Sequence, residues 1–315
     1  MFGGCLQEPK ASATPRQEGK VSNDMWTYDI AAQVGSRTFA KGMHMRRRMC
    51  AYLLNHARLG ECVQGWEEVQ FQATRLGCDL PAAAQQLILP APRAGHAMVS
   101  MRTGAITCGG YGYQADGRTK TYLADAAGGI DCWWFSPGGL PRWDVLKLAS
   151  NSSRPAPRFG HSMSLNAVEQ SVIIFGGQTL TGTLLNDCWK LSYANATSAP
   201  VELSQMEYMS EFMWQTCDPA AQLALKPQAR YGHQSVYFHK ALYVVGGFAQ
   251  NGLRVAAMQD IWILSMGTER TWAQIMPTTK TPDARGFHAM WLSGFRIMLH
   301  GTPTQTSLDV VTYST

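Results

Sequence analysis

Residues 158–189 read RFGHSMSLNAVEQSVIIFGGQTLTGTLLNDCW. Three short signals follow one another in this stretch: an Arg-x-Gly-His tetrad, a Gly-Gly pair and an Asp-x-Trp motif. The run directly before the glycine pair, residues 172–175, is apolar and rich in β-branched side chains, which predicts a buried strand. Glycine at the end of such a strand permits a positive φ and the close approach of a second backbone.

The same signals recur in the same order along the chain. The tetrad occurs at 93–96, 158–161 and 230–233, with an altered copy, RGFH, at 285–288. The glycine pairs are at 3–4, 109–110, 176–177 and 246–247, the Asp-x-Trp motifs at 24–26, 131–133, 187–189 and 260–262, and a further Trp at 66, 143, 214 and 272. A repeat of this kind indicates a unit that cannot bury its own apolar face and must stack on copies of itself.

This order of signals resembles the kelch repeat, in which each unit is one four-stranded blade of a β-propeller. The resemblance covers residues 2–313 apart from one insertion. It implies that the tetrad opens strand a, the glycine pair closes strand b, Asp-x-Trp lies around strand c and the further Trp marks strand d. Blades of this type occur in extracellular proteins resembling attractin and in intracellular scaffolds resembling muskelin. We therefore expect an all-β fold with residues 1–315 in a single propeller domain.

Repetition predicts a structural role for the repeated residues. The tetrad histidine occurs once in each unit that has a tetrad, so it is expected to meet a structural requirement of every blade. The tetrad Arg and His are expected to be partly buried and hydrogen-bonded between blades. The residues that we assign to the scaffold are Arg93, His96, Gly109, Gly110, Arg158, His161, Gly176, Gly177, Trp189, Arg230, His233, Gly246, Gly247 and Trp262.

Five units can be assigned, and the first and the last are incomplete. They span about 1–72, 93–148, 158–217, 230–276 and 285–315. The first lacks strand a and the fifth lacks strand d, but both carry strands b and c, so the two cannot merge into one blade. We hypothesise that the chain is part of a six- or seven-bladed ring. An irregular five-bladed ring is the alternative.

Basic charge is concentrated in one insertion, residues 31–64. Six Lys and Arg and no acid fall within 37–60, whereas the net charge of the whole chain is only +5, so the rest is close to neutral. The insertion is interpreted as partly helical, with Arg46, Arg47 and Arg48 on its polar side. Three interpretations stay open: a docking helix for an acidic partner or an anionic membrane surface, a surface helix that packs on the propeller rim, or a mis-predicted exon.

This charge distribution gives no case for nucleic-acid binding by the whole fold. No stretch reaches the ~20 apolar residues of a membrane span. No phosphate-binding loop or metal-ligand spacing is evident, so no metal and no cofactor is predicted. The enzymatic alternative is a fragment of a copper-radical oxidase, a class that also uses a kelch propeller, although its ligand motifs cannot be matched here residue by residue.

Function is expected in the segments that do not repeat. A rigid scaffold carries binding residues on variable loops, and the two longest b–c loops are residues 5–23 and 111–130. The predicted binding residues are Tyr111, Tyr113, Arg118, Lys120 and Tyr122 in the second loop, together with Arg46, Arg47 and Arg48. Tyr and Arg are enriched at interaction hot spots. The sequence therefore predicts a non-catalytic scaffold that binds one or more protein partners.

Cysteines and sequons bear on the compartment. Cys108, Cys132 and Cys188 fall inside predicted strands, where we expect unpaired core cysteines. The disulfide state of Cys5, Cys50, Cys62, Cys78 and Cys217 stays open. Asn151 and Asn195 each open an N-glycosylation sequon in a predicted connection. A cytoplasmic location is expected if Met1 is the natural start, whereas an extracellular one would require a signal peptide upstream.

Overall fold

The structure is a computed structural model of the 315-residue chain. It describes residues 89–137, 141–194, 211–219, 225–277 and 281–301, together with strands at 2–5, 21–28, 66–68 and 311–314. The insertion at 31–64, with Arg46, Arg47 and Arg48, lies outside the described residues, and so does Asn195. The described part of the chain contains strands and no helix, which confirms the all-β prediction.

The strands, numbered in chain order, are β1 (Phe2–Cys5), β2 (Val21–Tyr28), β3 (Trp66–Glu68), β4 (Ala97–Ser100), β5 (Ala105–Cys108), β6 (Tyr111–Tyr113), β7 (Lys120–Tyr122), β8 (Cys132–Ser136), β9 (Arg142–Val145), β10 (Ser162–Asn166), β11 (Ser171–Gln178), β12 (Leu184–Tyr193), β13 (Phe212–Thr216), β14 (Arg230–Tyr231), β15 (Gln234–Phe238), β16 (Ala241–Val245), β17 (Phe248–Asn251), β18 (Arg254–Ala257), β19 (Ile261–Ser265), β20 (Trp272–Ile275), β21 (Ala289–Ser293), β22 (Arg296–His300) and β23 (Val311–Ser314).

Antiparallel sheets repeat along the chain as predicted. Three have four strands in the order a-b-c-d: β4-β5-β8-β9, β10-β11-β12-β13 and β15-β16-β19-β20, which we call blades 2, 3 and 4. Blade 1 is the three-stranded sheet β1-β2-β3, and blade 5 is β21-β22-β23. Among the described strands, blade 1 has b, c and d and blade 5 has a, b and c, which agrees with the assignment from the repeat.

The apolar core lies between neighbouring blades. Along β11, Val172 and Ile174 pack towards blade 2, whereas Ile173 and Phe175 pack towards blade 4. Alternate residues of a strand point to opposite faces of the sheet, so a strand with a blade on each side is apolar at every position. All four side chains are fully buried. This explains why the strand before each glycine pair is a continuous apolar run.

The glycine pairs lie where two backbones approach closely. A Cβ on Gly176 (φ +59°) would lie 2.9 Å from the carbonyl oxygen of Arg230 in the next blade. A Cβ on Gly177 (φ +101°) would lie 2.9 Å from Cβ of His161 in its own blade. The pairs in blades 2 and 4 make equivalent contacts. The predicted combination of positive φ and close approach is therefore confirmed.

Each tetrad arginine forms a hydrogen-bond network inside its own blade. Arg230, which is fully buried, donates to the Gln228 carbonyl at 3.0 Å, the Gly246 carbonyl at 2.9 Å and both carboxylate oxygens of Asp260 at 2.7 and 2.8 Å. The indole of Trp262 donates to the same carboxylate at 2.6 Å. Arg93 and Arg158 have equivalent partners.

This network corrects the prediction that the tetrad arginines bond between blades. The start of strand a, the end of strand b and the start of strand c meet at one end of a blade, so the nearest carbonyl and carboxylate belong to the same blade. Burial alone would raise the pKa of Asp260, but the hydrogen bonds and charge of Arg230 outweigh it and hold that pKa below its ordinary value.

The tetrad glycines link neighbouring blades through their backbones. Gly160 N donates to Gly95 O at 2.8 Å, Gly232 N to Gly160 O at 2.7 Å, and Phe287 N to Gly232 O at 2.6 Å. A chain of hydrogen bonds thus runs from blade 2 to blade 5. Phe287 has a φ of +53°, which is rare for a residue other than glycine, because it takes the place of the tetrad glycine in the altered RGFH copy.

Strand a also bonds across the blade boundary, and the predicted hydrogen bond of a tetrad histidine between blades is found at His233, whereas both ring nitrogens of His161 and His288 have no hydrogen-bond partner within the described residues. His233 Nε2 of blade 4 lies 3.1 Å from the Phe175 carbonyl and 2.9 Å from Ser162 Oγ, both in blade 3. Because a carbonyl oxygen only accepts, this nitrogen carries the proton. Ser164 Oγ and Ser235 Oγ, 2.6 Å apart, form a second bond across the same boundary.

The buried histidines are expected to make stability fall in mild acid. Burial, with the nearby charge of Arg158, lowers the pKa of His161 to about 3, and burial with Arg285 lowers that of His288 to about 4. A histidine in the unfolded chain titrates near 6.5. Between pH 6.5 and 4 the unfolded state therefore binds more protons, and stability decreases as the pH falls. We expect each of these two histidines to lower the free energy of unfolding by about 1.4 kcal/mol at pH 5.5 relative to pH 7.5. Urea unfolding at the two pH values measures this difference.

His161→Phe provides the control for this pH dependence. Neither ring nitrogen of His161 has a hydrogen-bond partner within the described part of the chain, so an aromatic ring that cannot titrate removes the proton uptake with little loss of bonding. Between pH 7.5 and 5.5 the free energy of unfolding of the variant should fall by about 1.4 kcal/mol less than that of the wild type. An equal fall in the two proteins would contradict the assignment of this pH dependence to His161.

Two disulfides correct the prediction of unpaired core cysteines. Cys108 is bonded to Cys132 in blade 2, and Cys188 to Cys217 in blade 3. The predicted core location of Cys108, Cys132 and Cys188 is right, but their unpaired state is wrong. Cys132 lies directly opposite Cys108 on strand b, whereas Cys188 lies opposite Phe175 and finds its partner just after strand d. Because the pairing differs between blades, no common spacing marks it in the sequence.

Candidate interaction surface

The b–c connections of blades 2, 3 and 4 are hairpins that extend past the glycine pair. Blade 2 has β6–β7, blade 4 has β17–β18, and in blade 3 the strands β11 and β12 themselves continue, with Gln178 opposite Leu184. The first residue after each glycine pair bonds to the second residue of the tetrad: Ala94 with Tyr111, Phe159 with Gln178 and Tyr231 with Phe248. The hairpins are therefore fixed to the tetrads.

The blade 2 hairpin contains most of the predicted binding residues. Tyr111 lies opposite Tyr122, and Tyr113 opposite Lys120. The ammonium of Lys120 lies 4.4 Å from the ring centroid of Tyr111 and 5.8 Å from that of Phe159 in the next blade. Such contacts stabilise a cation by about 0.5–1 kcal/mol at exposed sites. Within the described residues Lys120 makes no ion pair, so its positive charge is available to a partner.

The tip of this hairpin is closed by Asp116. Its carboxylate accepts hydrogen bonds from the backbone amides of Arg118 and Thr119, both at 2.8 Å, and from the Thr119 hydroxyl at 2.5 Å. The hydroxyl and the two amides lower the pKa of Asp116. The predicted binding residue Arg118 thus lies at an ordered tip.

The return segment of the hairpin is held against the connection between blades 2 and 3. The Asp125 carboxylate accepts from the amides of Gly129 at 2.7 Å and Ala127 at 2.9 Å, and it forms an ion pair with Arg154. Ile130 N donates to the Pro155 carbonyl at 2.9 Å. The segment predicted as a long loop is therefore a structured hairpin with an anchored return.

Aromatic rings line the ends of the blades beside the hairpins. Phe159, Tyr231 and Phe287 each lie over the tetrad glycine of the preceding blade, with ring or Cβ atoms 3.1–3.5 Å from the position of a glycine Cβ. A Cβ on Gly286 would overlap the Phe248 ring, so a larger residue there would require this ring to move. In the fourth tetrad the aromatic residue stands one position later, and the Phe287 side chain is 65% exposed.

Six side chains make up what we call the hairpin surface. They come from the blade 2 hairpin, the blade 4 hairpin and the altered tetrad: Tyr113, Lys120, Tyr122, Leu253, Val255 and Phe287. Leu253 is fully exposed at the tip of β17–β18, and Tyr122 and Val255 are about half exposed. An exposed set of apolar and aromatic side chains with a cation is typical of a protein-binding surface.

Sequence reasoning found part of this surface. It identified Tyr111, Tyr113, Lys120 and Tyr122, which the structure brings together on one hairpin. It missed Phe287 of this surface and the neighbouring rings of Phe159, Tyr231 and Phe248, because they lie inside a tetrad or directly after a glycine pair, where only the Arg, His and Gly residues were singled out. A signal was present: the second tetrad residue is aromatic in two copies, and the fourth copy exchanges Gly and Phe.

The described residues do not form a metal centre. No group of three or more His, Cys, Asp or Glu side chains among them could hold a metal ion. His161, His233 and His288 lie in successive blades and do not converge on a single point in the described fold. In the same part of the chain we also find no helix with the length and apolar character needed to cross a bilayer.

A family model for the KLHDC2/KLHL20/DRC7 kelch-repeats domain matches residues 95–315. The chain belongs to the kelch-repeat family. The kelch-repeat chain is 27% identical over 221 residues to an F-box/kelch-repeat protein of Arabidopsis thaliana, a match that covers 67% of the chain. It is 28% identical over 234 residues, 71% of the chain, to multiple epidermal growth factor-like domains protein 8 of Rattus norvegicus.

The kelch-repeat chain spans 40% of the length of the Arabidopsis protein and 7% of that of the rat protein. Among solved structures it resembles YjhT, with a TM-score of 0.56 and 12% identity over 98% of this chain and 75% of that one. At this identity the likeness shows the fold alone. The predicted kelch propeller fold is thereby confirmed, and protein–protein interaction is the typical role of its repeats.

Proposed function

We propose that this kelch propeller is a non-catalytic scaffold that binds protein partners through the hairpin surface. The observation that carries the proposal is the position of Lys120. It stands over the Tyr111 ring on a hairpin whose tip and return are both hydrogen-bonded, so a cation and its aromatic support are held ready for a partner. A rigid interface loses less conformational entropy on binding than a flexible one.

The residues of the hairpin surface also differ from blade to blade within the described part of the propeller. Blade 2 presents Tyr113 and Lys120, blade 4 presents Leu253 and Val255, and blade 5 presents Phe287. The strands beneath keep the same register from blade to blade. Variable exposed residues on a constant support are the arrangement expected of a specific interaction scaffold.

A paired-variant experiment tests this location. Leu253→Asp combined with Lys120→Glu changes two exposed side chains at the hairpin end. The double variant should lose no more stability than the contact of Lys120 with the Tyr111 ring supplies, about 0.5–1 kcal/mol, because neither side chain belongs to the core, and should bind the partner at least about tenfold more weakly. Partners would be captured from native cells with tagged full-length chain and quantified, and the affinity of each purified partner would then be measured.

Val168→Asp is the matched control. Val168 is 93% exposed in the turn between strands a and b of blade 3, at the opposite end of strand b from the hairpins. A partner lost equally in the control and in the double variant would contradict the hairpin surface as the binding site. Stoichiometric copper in the purified protein would contradict the non-catalytic assignment and favour the oxidase class.

A further inference from the structure

Asn151 lies in an exposed turn between blades 2 and 3. Ser152 N donates to the Ala149 carbonyl at 2.9 Å, which closes the turn. Asn151 and Ser153 are both exposed, so the amide and the hydroxyl of the Asn151-Ser152-Ser153 sequon face solvent. The sequence requirement for N-glycosylation is therefore met at an accessible place.

The turn is held on the outer rim of blade 3 by contacts that do not involve the Asn151 side chain. Phe212 N donates to the Lys147 carbonyl and Ala149 N to the Phe212 carbonyl, both at 2.8 Å. Trp214 N donates to Ser152 Oγ at 2.9 Å. The segment thus runs beside strand d, the outermost strand, and a group attached to Asn151 projects outward without entering a blade interface.

The disulfides give an independent indication of the compartment. The central residue of Asp-x-Trp on strand c lies between the end of strand b and a residue near the end of strand d. In blade 4 these three positions are Val245, Ile261 and Ile275, which pack as plain aliphatic side chains. The fold therefore does not require sulfur at this site. Blades 2 and 3 each place a bonded cysteine pair there, and disulfides form and persist in oxidising compartments.

We propose that Asn151 carries an N-linked glycan, attached in the oxidising compartment where Cys108–Cys132 and Cys188–Cys217 form. The glycan is donated by an oligosaccharide that is linked through its anomeric carbon to a polyprenyl diphosphate. Nδ2 of Asn151 forms a bond to that carbon and loses one proton. The bond from the anomeric carbon to the diphosphate oxygen breaks, and the polyprenyl diphosphate leaves with the electron pair.

The experiment uses the full chain isolated from native cells with free thiols blocked before lysis. All forms carry Asn195→Gln, so that Asn151-Ser152-Ser153 is the sequon under test. Peptide-N-glycosidase should increase electrophoretic mobility and convert residue 151 from Asn to Asp, which peptide mass spectrometry detects. The same sample, denatured without reductant, should show Cys108, Cys132, Cys188 and Cys217 protected from alkylation until reductant is added.

Two variants at Ser153 make the outcome specific. Ser153→Ala destroys the sequon and should abolish the mobility change completely, whereas Ser153→Thr preserves the sequon and should keep it. Ser153 is exposed, so neither change should affect folding. An unmodified Asn151 in the wild-type and Ser153→Thr chains overturns the glycan, and retention of the mobility change in Ser153→Ala overturns its position. Free thiols at the four cysteines overturn the oxidising compartment.

Discussion

Gly177→Val is expected to lower the free energy of unfolding by about 3–5 kcal/mol, a large part of the roughly 5–15 kcal/mol that stabilises an ordinary folded protein. Two costs combine. The backbone of Gly177 has a φ of +101°, which a β-branched residue adopts only with strain. In addition, the new Cβ would lie 2.9 Å from Cβ of His161 and 3.0 Å from the Phe159 carbonyl oxygen, and neither atom is the end of a flexible side chain.

Gly182→Val separates these two costs. Gly182 has a similar φ of +89°, but its nearest neighbour would be Gln178 Nε2 at 3.9 Å. It should therefore show only the backbone cost, about 1–2 kcal/mol. Both variants would be compared with the wild type by urea unfolding at pH 7.5. Equal effects of the two substitutions would show that the close approach at the glycine pair does not matter for stability.

Arg230→Met is expected to cost about 3–5 kcal/mol. Arg230 is fully buried, and its removal leaves the Gly246 carbonyl without its side-chain donor and the mostly buried Asp260 carboxylate without its cation, with the Trp262 indole still donating to it. Methionine fills much of the same volume, so the loss reflects the unpaired polar groups more than a cavity. Denaturant unfolding of the single variant measures the cost directly.

Two further variants identify the cause of this loss. Arg230→Met combined with Asp260→Asn removes the leftover charge and should recover part of the stability. Arg142→Met breaks a pair with Asp144 in which both side chains are more than a third exposed, and should cost less than about 1 kcal/mol. A loss at Arg142 as large as that at Arg230 would contradict burial as the source of the effect.

The strand framework could be predicted because its causes are local. The apolar run at 172–175 is explained by a strand that is covered on both faces. The Gly176-Gly177 pair is explained by a backbone with positive φ. The partners of Arg230 could not be predicted, because they depend on which strand ends meet in space. Pairing of Cys188 with Cys217 was hidden for the same reason: the equivalent partner in blade 2, Cys108, lies on a different strand.

The candidate surface was predicted only where it differs from the repeat. Tyr113 and Lys120 were found because their loop is long and unlike its counterparts. Phe159 and Tyr231 were not, since a residue inside a repeated tetrad is assigned to the blade. In the structure Phe159 and Tyr231 have two roles. Each covers a glycine of the preceding blade, and each also lies at the end of the propeller beside the hairpins.

The backbone chain from Gly95 to Phe287 determines what amide hydrogen exchange would measure in this molecule. The amide protons of Gly160, Gly232 and Phe287 are bonded to the preceding blade and not within their own sheet. Fraying of a single strand d leaves these bonds intact. Exchange at the three amides therefore requires the contact between two neighbouring blades to open at the tetrads, and its rate reports the free energy of that opening. Amides within β11 or β16 instead report the unfolding of one sheet.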